Sequence, residues 1–406
     1  MAVRLTCNVN NYHWGKHGFS SKAAQFASIN PELTIDPKQT YSELWMGTHP
    51  NGPSILYGTE KELSKLIEEE PKVLGDRIIK KYGGLPFLFK VLSIEKALSI
   101  QAHPDKILAK KLHIERPQIY KDDNHKPEMS IALTDFIAMS GFRPLEHIST
   151  YLDEYPEFQA LISKDTITTF KNSIKKDDTI GRKALKELFS ELMNATEKDV
   201  QIQLDKLLER IGQNNDEPLD ITETALIRRL SSEYPGDIGV FCVFMLNVLK
   251  LKPGEAFFMG PNDPHAYIFG DCIECMATSD NVVRAGLTPK LRDVPVLVDM
   301  LSYDYGTPDS KILRPIKSNS ASLLYDPPIE EFSVLQTNLL AKQTENILTP
   351  IGPKILIVTE GIGELTVAGV LHKVQPGSVY FVPTELSITL TASDHPMVVY
   401  TALCMA

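Results

Sequence analysis

Three short segments place metal-ligating and acid–base side chains in strand-like surroundings. In LSIQAHPD, residues 98–105, a side-chain period of two puts Leu98, Ile100 and Ala102 on one face and Ser99, Gln101 and His103 on the other. Lys126-Pro127-Glu128 leads into the run Met129-Ser130-Ile131-Ala132-Leu133, and alternation sets Lys126 and Glu128 on one side. Pro264-His265-Ala266-Tyr267 does the same for His265 and Tyr267. Two imidazoles, a carboxylate and an amide oxygen form a nitrogen and oxygen donor set that zinc and other divalent metals accept. The set lacks a thiolate, which suits an open catalytic site better than a closed structural one. The segments share no short ligand signature, so each residue reads equally as an ordinary polar side chain, and Pro104-Asp105 as a helix start. A fourth segment, Asp280 to Lys290, adds Asp280 and Arg284, with the small residues Ala285 and Gly286 permitting close approach.

These side chains need a scaffold, and the chain's pattern supplies one. Residues 1 to about 145 carry short strands and turn signals such as Thr48-His49-Pro50-Asn51-Gly52-Pro53, with helical stretches near 62–70 and 104–113. Beyond Leu145 the pattern becomes helical. Leu185, Leu188, Phe189 and Leu192 form one stripe; Val200, Leu204, Leu207, Leu208 and Ile211 form another, with Thr196 as its N-cap. Strand signals return after Asp237 and contain a repeat: PGEAFFMGP at 253–261 resembles PGSVYFVP at 376–383. Pro-Gly turns around short apolar strands predict antiparallel jelly-roll barrels, and two copies predict two. Four residues beyond Pro261 stands His265, whereas four beyond Pro383 stands Ser387, so the second barrel reads as structural. The expected fold is mainly β with a helical insert: a discontinuous jelly-roll domain bearing the candidate site at 1–145 and 236–320, a helical insert at 146–235, and a C-terminal jelly-roll domain without metal at 321–406.

The totals exclude several classes. A net charge of −10 over 406 residues argues against a nucleic-acid or anionic-membrane surface but not against a small anionic substrate. No apolar run approaches transmembrane length, and the start lacks the apolar core of a secretory signal. Five scattered cysteines suggest reduced thiols and a cytoplasmic location, and no obligate protein partner is evident. Cys272-Ile-Glu-Cys275 spells C-x-x-C, but on a strand its thiols face opposite sides, which predicts packing rather than redox or zinc chemistry.

Taken together, Tyr12-His13-Trp14-Gly15, Glu43-Leu44-Trp45-Met46-Gly47-Thr48-His49-Pro50, the three metal segments and Asn281 to Lys290 make the sequence resemble the type I mannose-6-phosphate isomerases over nearly its whole length. The resemblance implies that both barrels are cupin-like. It also implies a cupin-type enzyme with one zinc ion, interconverting mannose 6-phosphate and fructose 6-phosphate and feeding activated-mannose and glycan synthesis. Its ligands fall on Gln101, His103, Glu128 and His265, its active-site arginine on Arg284 and its pocket lysine on Lys126. Ser99, Lys126, Tyr267, Arg284 and Lys290 are then candidates for substrate binding, and Arg284, Lys126 and Asp280 for catalysis. The proton acceptor stays open among Asp280, Glu274, Lys126, His125 and a metal-bound water. Two rivals are a cupin iron oxygenase, against which Gln101 counts, and a non-catalytic sugar-binding bicupin, which gives Arg284 and Lys126 no reason to stand there.

Overall fold

A computed structural model describes residues 1–214, 216–347 and 352–405. Its hub is the long strand His265–Ala277. The second half of that strand pairs antiparallel with Phe87–Ile94 on one side and Glu128–Ala132 on the other. The first half pairs with Phe136–Phe142 and, where His265 faces Gln101, with Ile100–Ala102. Val283–Gly286 lies against Ile100–Ala102, with Arg284 opposite Gln101. The hub changes partners at Gly270, whose φ is +115°. A Cβ there would fall 2.6 Å from the Asp135 carbonyl oxygen, so the corner requires glycine.

Alternation explains how these strands serve two layers. Phe87, Phe89 and Val91 enter one apolar core, whereas Leu88 and Leu92 face the other way, with Lys90 between them. Cys272 and Cys275 are buried free thiols in separate apolar clusters, as the packing reading requires.

The helical insert runs from Leu145–Glu154 to Glu223–Glu233. Leu185, Leu188, Phe189 and Leu192 are all buried, as are Val200, Leu204 and Leu207, while Leu208 and Ile211 pack partly buried beside them. The Thr196 side chain accepts a hydrogen bond from the Asp199 N–H, closing the start of the Glu197–Ile211 helix. The insert shares its core with Ile100, Ala102, Ala266, Val283 and Ala285. These residues alternate with Gln101, His265 and Arg284, so packing the apolar backs against the helices turns the polar residues to the opposite face. Shorter helices stand outside the insert, including Leu63–Glu69 and Lys106–Glu115, where the sequence predicts them.

The C-terminal sheet contains Ser333–Leu339, Lys354–Glu360, Val379–Val382 and Met397–Leu403, all antiparallel. The repeat is real at the backbone: Gly254 and Gly377 adopt φ of +85° and +87°, each before a short strand, Ala256–Met259 or Val379–Val382. The first strand of the chain, Val3–Thr6, pairs with Val379–Val382, so the N-terminus completes the C-terminal sheet. No helix among the described residues is long and apolar enough to cross a membrane.

Candidate metal centre

His103, Glu128 and His265 converge in the interior, each at most 2% exposed, and potential ligand atoms from the three lie within 4.8 Å of one another. The His103 and His265 rings stand 5.1 Å apart. Nε2 of His103 is 3.5 Å from Glu128 Oε1, and Nε2 of His265 is 3.3 Å from Glu128 Oε2. Neither approach has hydrogen-bond geometry, so both Nε2 atoms and Glu128 Oε2 are buried without a hydrogen-bond partner. Three orphaned polar atoms at one point are costly unless something binds them, and a divalent cation fits the donor set.

The second ring nitrogen of each histidine settles its tautomer. Nδ1–H of His103 donates to the Asn281 carbonyl at 2.7 Å, and Nδ1–H of His265 donates to the Asp263 carbonyl at 2.9 Å. A carbonyl can only accept, so each Nε2 keeps a lone pair aimed at the cluster, the usual orientation of a metal-ligating imidazole. Burial, reinforced by Lys126, pulls the His103 pKa down to about 4, which keeps it neutral and able to ligate. For Glu128 burial opposes ionisation, but Lys126, with Nζ 3.4 Å from Oε1, and the histidines hold its pKa well below the usual range.

Gln101 lies between the cluster and Arg284, opposite His265 on one neighbouring strand and Arg284 on the other. Directly paired residues share a face, so its amide stands beside the His265 imidazole. Arg284 is half-buried, and burial lowers its pKa. Its guanidinium has no hydrogen-bond or ion-pair partner among the described residues, which leaves its donors for a ligand. The Ser99 hydroxyl is half-buried and likewise unbonded.

The remaining candidates separate. Asp280 Oδ1 lies 3.2 Å from His49 Nε2 and keeps 41% of its side chain exposed. That contact lowers its carboxyl pKa against the cost of burial, with Lys126 and Lys90 adding to the effect. Tyr267 is buried against Phe136 and Phe257, and its hydroxyl donates to Glu274 Oε1 at 2.7 Å. Lys290 is exposed and lines a cleft of about 770 Å³ with His13, Lys96 and Arg292; none of the four proposed ligands borders that cleft. His125 turns its Nε2 to Glu331 Oε1 at 2.8 Å, so that nitrogen is occupied.

Sequence reasoning missed Lys90. Its Nζ lies 3.0 Å from Glu274 Oε2, the two residues are direct cross-strand partners, and both are buried. Lys90 also sits 5.0 Å from the Trp45 ring centre, while Trp45 Nε1 donates to Glu43 Oε2 at 2.6 Å. The signal was one lysine inside the apolar run FLFKVLSI. Asn281 escaped for a different reason. Its carbonyl holds His103, and its side-chain amide donates to the Asp122 and Asn124 carbonyls. A backbone acceptor leaves no mark in side-chain chemistry.

Antiparallel sheets with a helical insertion carry a buried two-histidine, one-glutamate cluster, beside a lysine and an arginine with no partner among the described residues, and so define a protein with a candidate metal site. Family profiles described as phosphomannose isomerase type I match three parts of the chain: the catalytic domain at residues 2–145, the helical insertion domain at 161–246 and the C-terminal part at 322–369. The mannose-6-phosphate isomerase of Schizosaccharomyces pombe is 45% identical, the alignment covering 99% of both chains. That of Saccharomyces cerevisiae is 43% identical, covering 98% of this chain and 97% of its own. A crystallised variant of phosphomannose isomerase from Salmonella typhimurium superposes with a TM-score of 0.84 at 30% identity, covering 100% of each chain. A mannose 6-phosphate isomerase bound with zinc and yttrium does so with the same score, identity and coverage. The chain belongs to the type I phosphomannose isomerases, and the enzyme class expected from its motifs, a mannose-6-phosphate isomerase, stands.

Proposed function

We propose that this chain interconverts mannose 6-phosphate and fructose 6-phosphate through an enediol or enediolate, with one zinc ion held by Gln101, His103, Glu128 and His265. The observation that carries the reading is the trio of orphaned ligand atoms, with both imidazoles oriented by backbone carbonyls. When bound, zinc supplies Lewis-acid stabilisation of negative charge on oxygen, with no change of its own redox state.

The chain's own residues do the rest. Aldose–ketose interconversion moves a proton between C1 and C2, and the adjoining oxygens gain negative charge on the way. Arg284, with its donors unengaged, is assigned to that charge and to holding the sugar. Lys126 is assigned to the same pocket, and Asp280 to the proton in partnership with it. Glu274 is the weaker contender, since its oxygens already engage Tyr267 and Lys90, and His125 is engaged by Glu331. Tyr267 then acts through Glu274 and as a packed wall rather than through a free hydroxyl. Ser99 and Lys290 are assigned to the phosphate end as hydroxyl and cation; Lys290 shares a cleft with Lys96 and Arg292 that Ser99 does not line. The domain division at 1–145 with 236–320, 146–235 and 321–406 belongs to this reading, as does supply of mannose 6-phosphate for activated-mannose and glycan synthesis.

The test is NMR of fructose 6-phosphate with the protein in D2O, with and without a chelator. Mannose 6-phosphate is expected, its formation abolished by chelator and restored by zinc, and deuterium at C2 would accompany a solvent-exchanging base. No product from folded, zinc-loaded protein would reject the reading.

A further inference from the structure

The C-terminal segment reads from sequence as a structural barrel without a metal. One of its side chains nevertheless reaches the metal centre's supports. Glu331 lies just before the strand Ser333–Leu339 and is 4% exposed. Its Oε1 accepts from Lys106 Nζ at 2.7 Å and from His125 Nε2 at 2.8 Å. Lys106 stands three residues after His103 and opens the helix Lys106–Glu115; His125 stands three residues before Glu128. A single buried oxygen thus joins the chain that leaves one ligand to the chain that enters another.

The opposite side of the same loop is already tied. Asn281 and Ser279 bond the backbone at Asp122 and Asn124, and Asn281 also carries the acceptor for His103. The loop that delivers Lys126 and Glu128 is therefore gripped from two sides, by the 279–281 segment and by Glu331. Burial alone would raise the Glu331 pKa, but hydrogen bonds from His125 and Lys106 bring it to about 2. The carboxylate stays ionised and keeps both donors.

We propose that Glu331 is a positioning residue of the metal centre, setting the separation of the His103 and Glu128 segments through Lys106 and His125. This rests on the metal reading given above. Residues that orient metal ligands from outside typically change metal affinity or activity by about 10–100-fold when removed. The test compares Glu331→Ala, Glu331→Gln, Lys106→Ala and His125→Gln as zinc-loaded full-length proteins. Zinc release to a chromogenic chelator, kcat, KM and thermal unfolding are followed for each.

The expected result is zinc release about tenfold faster in Glu331→Ala, with a fall in kcat that exceeds any rise in KM. Glu331→Gln, which keeps an acceptor, should recover part of the loss. Lys106→Ala removes a half-exposed side chain and so keeps the fold safe, and it should reproduce part of the faster release. Release rates within twofold of wild type in Lys106→Ala and His125→Gln, with Glu331→Ala losing only thermal stability, would overturn the proposal. A wild-type protein that holds no zinc would instead remove the metal reading, and the proposal with it.

Discussion

At the scale of single residues, the proposed function separates the residues that would hold a metal from those that would use it. Gln101 shares a sheet face with His265 and Arg284, and no described residue hydrogen-bonds its amide. Arg284 contributes no ligand atom but leaves a half-buried guanidinium unpartnered. The two should therefore fail differently. Gln101→Leu is expected to lose zinc on dialysis, with activity following metal content. Arg284→Ala should retain zinc in full while kcat falls by about 10²-fold or more, the scale of losing one donor to a developing oxyanion. Metal analysis and turnover on the same dialysed samples check both. Full zinc retention in Gln101→Leu would remove Gln101 from the ligand set, and full activity in a metal-free Gln101→Leu protein would remove the metal from the reaction.

At the scale of elements, alternation along strands made the face of LSIQAHPD legible, because Ile100 and Ala102 do enter the core behind Gln101 and His103. Lys126 and Glu128 share a side, as predicted, for the same reason. Side-chain period says nothing about register, however, and register is what puts Lys90 against Glu274 and His265 against Gln101. The switch of partners at Gly270 was equally hidden, since it depends on contact with a distant carbonyl. The Lys90–Glu274 pair carries an energetic consequence of that register. Glu274→Ala would leave Lys90 buried without its carboxylate and orphan the Tyr267 hydroxyl, at a cost of about 3–5 kcal/mol. Replacing both partners with Met removes the charge problem and should cost markedly less. Urea unfolding of wild type, single and double variants measures the difference. Equal losses in the single and double variants would show that packing rather than the ion pair governs stability there.

At the scale of the whole molecule, the C-terminal part has one apolar cluster nearly its own, around Leu335, Leu356, Val358, Leu365 and Leu390, but the proposed segments also share cores. One shared apolar cluster takes Leu5, Phe26 and Leu44 from near the start, Phe89, Met129 and Ile273 from the sheet that carries Glu128 and His265, and Tyr325, Phe332, Ile355 and Phe381 from the C-terminal part. A second cluster joins the helical insert to Ile100, Ala102 and Ala266 behind the ligands. Val3–Thr6 adds backbone hydrogen bonds by pairing with Val379–Val382. Removing any part would expose an apolar face that another part covers, and the site's geometry depends on both clusters. Because these shared clusters couple the parts, the chain should unfold in a single transition by calorimetry, with circular dichroism and loss of zinc following the same curve. A chain ended at residue 320 should aggregate or stay unfolded, since it lacks Tyr325, Phe332, Ile355 and Phe381, as well as Glu331. A soluble, zinc-binding 1–320 fragment would contradict the shared core. Two separated transitions in the full chain, with zinc lost in only one, would show instead that the metal-bearing sheet is stable on its own.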